Sequence, residues 1–184
     1  MVYLFLAPGF KEIEALCPLD LLRRAGVEVT TVAIGTPTAA VTGAHGITVL
    51  ADCTEADYTP AAPAEMLILP GGMPGSANLD ASPTVDAAIA AARDAGAYLA
   101  AICAAPMILG RRGLLAGRRA TCFPGFEDEL AGAILADARV VRDGEIITAA
   151  GMGVALDFGL ALVAALCDDR TAADLRAALQ ALPA

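Results

Sequence analysis

Cys103 follows an apolar run, Tyr98-Leu-Ala-Ala-Ile, and precedes Ala104-Ala105-Pro106. A strand that passes straight into a helix, with one nucleophilic side chain at the junction, is the pattern of a nucleophile elbow. The tight turn lifts the side chain clear, and small neighbours leave it room. A helix N-terminus behind the sulfur offers free N–H groups and a favourable dipole, both of which lower a thiol pKa. A buried structural cysteine is the other reading of an apolar run; the junction favours the nucleophile.

The partners available to that thiol are few. The chain has one histidine, His45, and one lysine, Lys11. A Ser–His–Asp triad, a His-rich metal site or a Schiff-base lysine would each need a residue type that is almost missing. A glutamine-amidotransferase-like enzyme needs a histidine well after its cysteine, and none follows residue 45, so that class is excluded. Carboxylates remain. Glu14 falls in the first turn of the first expected helix, just past the carboxyl end of the first expected strand. That is the same sheet edge as Cys103, whereas Glu12 points to another face. A carboxylic acid beside a thiolate has a raised pKa and can donate a hydrogen bond or accept a proton. Pro70-Gly71-Gly72 ends a further strand at this edge. Its glycines would let backbone N–H groups approach an oxyanion, or would simply make a tight turn. Gly151-Met152-Gly153 lacks the third glycine and the following βαβ room of a dinucleotide fingerprint, which is therefore excluded.

The elements that must position these residues follow from periodicity. Val2–Ala7 is a continuous apolar run that suits a strand buried on both faces. Glu12–Ala25 carries Ile13, Leu16, Cys17, Leu21 and Leu22 at helical spacing, with Arg23 and Arg24 in its last turn and Gly26 as its stop. Val27–Ile34, Met66–Leu69 and Ala97–Ile102 read as strands. Val41–Leu50 reads as a hairpin around Gly43 and Gly46, and Ala51–Ala64 as a loop or edge connection. Ser82-Pro83 opens a helix in the preferred order of capping residue and proline, and another helix starts at Pro106. Asp143-Gly144 joins the two strands of a hairpin over Arg139–Thr148. Helices over Val154–Leu166 and Thr171–Leu182 complete the chain. Alternating β and α elements predict an α/β doubly wound, mostly parallel sheet with helices on both faces.

Composition bounds the class. The 184 residues fit a single domain, 1–184. They are 57% hydrophobic, which excludes a disordered chain. A net charge of −9 argues against a nucleic-acid partner, since phosphate binding is driven by clustered Lys and Arg. Cys17, Cys53, Cys103, Cys122 and Cys167 lie far apart without the spacing of a zinc site, and an odd count suggests free thiols in a reducing compartment. No apolar run reaches the length of a membrane span, and the N-terminus lacks the basic leader of a signal peptide. A cytoplasmic protein without a membrane partner is the expectation.

Taken together, GFKEIEAL (9–16), LLRRAG (21–26), LILPGG (67–72), AAICAAP (100–106), TCFPGFED (121–128) and DGEIIT…GMG (143–153) resemble the ThiJ/PfpI superfamily. The resemblance is to the branch that holds the parkinsonism-associated deglycase and the bacterial YajL-like proteins, and it covers nearly the whole chain. It implies a flavodoxin-like sandwich, a homodimer, and cofactor-free, metal-free chemistry on a small reactive aldehyde or glycated substrate. Cys103 matches the family's nucleophile and Glu14 its protonated glutamate; the backbone amides of Gly72 and Ala104 match its oxyanion-type contacts. The implied activity is of the glyoxalase III or deglycase kind, converting methylglyoxal to lactate through a hemithioacetal. The alternative is a thiol-based oxidative-stress sensor read out by Cys103 oxidation, and isocyanide hydration is a weaker third reading. Pocket-lining positions are Gly71, Phe123, His45 and Ala150. Phe123 stands where relatives often carry a histidine, and His45 and Ala150 stand where they carry arginines. Ala104, in place of the histidine of the protease-like branch, argues against a peptidase. Cys122 is a core cysteine or, less well supported, a resolving thiol.

Overall fold

The computed structural model describes residues 1–59 and 64–181. Its centre is a seven-stranded sheet built from β1 (Val2–Leu6), β2 (Val29–Ala33), β5 (Cys53–Thr54), β6 (Met66–Leu69), β7 (Tyr98–Ile102), β10 (Val140–Asp143) and β11 (Ile146–Ala149). The spatial order is β10-β11-β7-β6-β1-β2-β5. All neighbours are parallel except β10 and β11, the Asp143-Gly144 hairpin. Parallel strands need crossovers, and the helices α1 (Glu12–Arg24), α3 (Pro83–Asp94) and α5 (Ala155–Leu166) lie along the sheet with the shorter α2 (Gly75–Asp80), α4 (Pro106–Arg111) and α6 (Asp169–Ala178).

Strand alternation divides the interior into two cores. Tyr3 and Phe5 of β1 join Val85, Ile89, Ile108 and Leu109 on one face. Val2, Leu4 and Leu6 join Leu21, Leu22, Phe158 and Val163 on the other. Helices therefore cover both faces of a mostly parallel sheet, as expected. Ser82 caps α3, its hydroxyl accepting from the Val85 N–H at 3.3 Å, and Pro106 occupies the first turn of α4.

Several boundaries differ from expectation. The hairpin expected over Val41–Leu50 is present as β3 (Ala40–Thr42) against β4 (Thr48–Leu50). The stretch after it contains β5, a two-residue edge strand parallel to β2; residues 60–63 lie outside the described residues. The last helix starts earlier than Thr171, because the Asp168 carboxylate accepts from the Thr171 N–H at 2.6 Å and caps it; the expected end at Leu182 lies outside the described residues. Helix α2 and the small parallel pair β8 (Arg119–Ala120) and β9 (Ile134–Leu135) have no strong periodicity in sequence and were not expected.

Helix α1 is placed by close contact with α5. A side chain at Gly159 would put its Cβ 2.5 Å from Leu21 Cδ1 and 3.0 Å from Pro18 Cα. Only glycine allows that approach, and it sets the helix that carries Glu14. Gly159→Val is expected to force the helices apart and cost about 2 kcal/mol. A thermal melt should show a midpoint lower by roughly 4–8 °C.

Candidate active site

Parallel register brings four strand ends to one edge. Leu4 pairs with Ile68, Leu69 with Ala101, and Ala149 with Ile102. The residues that follow β1, β6, β7 and β11 therefore converge, in the crevice where ligands bind in open α/β sheets.

Cys103 is the first residue past β7. Its φ is 64°, in the left-handed region that a side-chain-bearing residue rarely adopts. Such a backbone costs about 1–3 kcal/mol and persists only where its surroundings impose it. Here the Cys103 N–H donates to the Ala149 carbonyl at 2.8 Å, and the Cys103 carbonyl accepts from the Phe123 N–H at 2.9 Å. These bonds fix the turn and aim the sulfur out of the sheet. Cys103 is half-buried.

Glu14 is fully buried. Glu14 and Cys103 meet over Gly71: a Cβ on Gly71 would stand 2.4 Å from Glu14 Oε2 and 2.5 Å from Cys103 Cβ. The 70–72 turn is latched to the start of α1 by the Lys11 N–H, which donates to the Gly71 carbonyl at 2.8 Å. Gly72 has φ 91°, and a Cβ there would lie 2.5 Å from the Lys11 nitrogen. Both glycines are thus required by close approach, beyond any role as a turn.

The pair shares its protons. Burial raises the Glu14 pKa and outweighs the opposing Cys103 thiol, the Lys11 charge and the Gly71 and Met152 N–H groups. Neither Glu14 oxygen has a hydrogen bond of good geometry. Burial, followed by the charge of an ionised Glu14, pushes the Cys103 thiol up to about 12, against the Ala104 and Gly72 N–H groups that pull it down. The expected low thiol pKa is therefore not a property of the helix N-terminus alone. Loss of one proton makes the other harder to remove, so Cys103 and Glu14 titrate as a coupled pair. With the remaining proton on Glu14, the carboxyl becomes a donor to the sulfur, and the two backbone N–H groups hold the thiolate.

The other expected site residues fall in two places. Phe123 and Ala150 line a cleft of about 260 Å³ with Arg139, Gly151 and Met152. A Cβ on Gly151 would be 3.0 Å from the Phe123 ring and 4.0 Å from Cys103 Sγ, so this cleft adjoins the sulfur. His45 has different neighbours. Its N–H donates to Glu12 Oε1 at 2.7 Å, and its ring Nδ1 lies 3.5 Å from Glu12 Oε2 and 3.4 Å from Lys11 Nζ. Glu12 turns away from Cys103, as expected, and ties the β3–β4 turn to α1. Cys122 is buried and lines a separate cleft with Glu127 and Leu135. Burial and the Glu127 charge push its thiol up to about 11, which suits a core cysteine. Sequence reasoning passed over Arg139. The hairpin register could have found it, since Val140 pairs with Ala149 and so sets Arg139 opposite Ala150.

A buried acid with a raised pKa favours folding while protonated. That contribution is complete below the ordinary carboxyl pKa and is lost as pH rises through the raised native value. Glu14→Gln lacks this loss. The melting temperature of Glu14→Gln minus that of the wild type is expected to increase from about pH 4 to about pH 8, measured by thermal denaturation in matched buffers.

Residues 1–165 match the DJ-1/PfpI family. The chain is 32% identical to the Parkinson disease protein 7 homolog of Danio rerio, covering 95% of this chain and 93% of that protein. It is 35% identical to a deglycase of Pyrococcus horikoshii, covering 80% of this chain and 89% of that one. It spans 40% and 41% of the length of two Arabidopsis thaliana relatives, DJ-1 homologs B and A. A DJ-1 superfamily protein of Salmonella typhimurium, solved as a cysteine-to-alanine mutant, superposes with a TM-score of 0.92 at 38% identity, covering 99% of this chain and 98% of that one. With the elbow cysteine, the buried glutamate and these likenesses in place, the chain belongs to the DJ-1/PfpI family and is a DJ-1-like cysteine protein.

Proposed function

We propose that the protein is a cofactor-independent enzyme acting on reactive carbonyls, with Cys103 as nucleophile and Glu14 as proton carrier. The observation that carries this reading is the contact of Glu14 and Cys103 over the bare Cα of Gly71. It gives one shared proton, a nucleophile and an acid at the same point. The resemblance to a protein named a deglycase supports the substrate class.

The chemistry follows from the pair. The Cys103 thiolate attacks the aldehyde carbon of methylglyoxal and forms a C–S bond. The carbonyl oxygen takes the proton held by Glu14, giving a hemithioacetal. Glu14, now a carboxylate, removes the proton from the former aldehyde carbon, and that proton returns at the adjacent carbon. The product is a thioester of lactate, which water cleaves to release lactate and the thiol. The rearrangement is internally balanced and needs no external oxidant or reductant. The Gly72 and Ala104 N–H groups act on the sulfur in the resting state, which supports a role for them in meeting the oxyanion charge that develops beside it. Deglycation of adducts would use the same first steps.

A second reading has its own support. Cys103 is half-buried, so a small oxidant can reach the sulfur. Oxidation to the sulfinic acid would then be the readout of a thiol sensor. A homodimer belongs to either reading, supported by exposed Ile13 on α1 and by exposed Ile47 and Leu50 on the adjoining hairpin. No helix among the described residues is long and apolar enough to cross a membrane.

The test is lactate formation from methylglyoxal. Cys103→Ser is expected to abolish it, and Glu14→Gln to lower kcat/KM by about 10²–10⁴-fold, the usual span for a lost general acid–base. Absence of any Cys103-dependent turnover, with two oxygens gained at Cys103 under mild peroxide, would reverse the order of the two readings.

A further inference from the structure

The cleft beside Cys103 holds one strong charge that neither the fold nor the shared proton uses. Arg139 stands just before β10, with its carbonyl accepting from the Ala150 N–H at 2.8 Å. Its side chain is brought over the Gly151-Met152-Gly153 segment: Nη2 lies 3.0 Å from the Cβ that Gly153 lacks. Any larger residue at 153 would crowd the guanidinium. At the other end of the same segment, Gly151 keeps the path open between the Phe123 ring and Cys103 Sγ. The segment is thus a floor that runs from the sulfur to the guanidinium. Its ends are two Cα steps apart, a span of at most about 7.6 Å. That is the reach of a small, extended molecule.

The chemistry of the two ends differs. One end offers a nucleophile for a carbonyl carbon. The other offers the planar fork of an arginine, suited to a carboxylate or a phosphate. Among the described residues, no carboxylate forms an ion pair with Arg139. Phe123, Ala150 and Met152 supply apolar walls along the floor.

Resting on the carbonyl reading of Cys103, we propose that Arg139 is a specificity-determining residue. It selects aldehydes that carry an anionic group at the end remote from the carbonyl attacked by Cys103. Arg139 makes and breaks no bond; it orients the substrate along the Gly151–Gly153 floor.

Hemithioacetal formation is reversible and shields the sulfur, so protection of Cys103 from iodoacetamide reports aldehyde binding without turnover. Succinic semialdehyde and butanal have the same four-carbon chain and differ in one carboxylate. In the wild type, succinic semialdehyde is expected to protect at about tenfold lower concentration than butanal, the scale of one charge-assisted hydrogen bond. Arg139→Ala should bring the two to parity with butanal unchanged, and Arg139→Lys should keep part of the preference. Unchanged melting temperatures show that the variants fold. Equal protection in the wild type, or a preference that survives in Arg139→Ala, overturns the role of Arg139 alone. Failure of both aldehydes to protect, with Cys103 still alkylated, overturns the carbonyl reading and this proposal with it.

Discussion

The left-handed turn at Cys103 is the constraint on which the site depends. A residue with a side chain does not choose φ 64°; the sheet imposes it through the Ala149 carbonyl on one side and the Phe123 N–H on the other. The cost of about 1–3 kcal/mol is offset by the cooperative ladder of β6, β7 and β11. The turn sends the sulfur toward the one place where Gly71 leaves space, and Glu14 fills the other side of that space. A strand end that relaxed to ordinary geometry would return the thiol to the apolar interior, as one more buried cysteine.

Much of this was legible in the sequence. The apolar runs of β1, β6 and β7, and the Asp-Gly hairpin, gave the sheet, because a strand buried on both faces has little other composition open to it. The junction at Cys103 and the small residues after it pointed to the elbow. Glu14 could be placed at the same edge, since a short connection leaves a helix's first turn at the carboxyl end of its strand. What periodicity could not supply was long-range contact. Helix α2 has six residues and no repeating apolar stripe, and β8 and β9 are two residues each. His45 is held by Glu12 and Lys11, three residues brought together by a turn whose direction is not a local property. The coupling of the thiol to Glu14 was hidden for the same reason. A helix N-terminus is visible in sequence, but the burial that couples two acids is not.

The glycines show how packing and chemistry share positions. Gly159 lets α5 approach Pro18 and Leu21, which sets the height of α1 over the sheet. That height decides whether Glu14 reaches Gly71. Gly71 in turn has no Cβ because Glu14 and Cys103 occupy the space where one would sit. The same economy recurs on the other side of the sulfur, where Gly151 and Gly153 make room for Phe123 and Arg139. Four contacts at glycine therefore set Cys103, Glu14 and Arg139 relative to one another.

The single histidine bears on mechanism through its placement. Imidazole titrates near neutrality and is the usual proton carrier at a thiol. Here the imidazole is engaged with Glu12, and Phe123 lies beside the sulfur instead. In the proposed reaction the proton is then carried by a carboxyl whose ordinary pKa is too low for the task. Burial works against that mismatch, since it raises the Glu14 pKa. The same burial would silence the thiol if Glu14 were charged. In the proposed chemistry the two groups work only as a unit, and because each shifts the other's pKa, a change that hydrates one of them alters both.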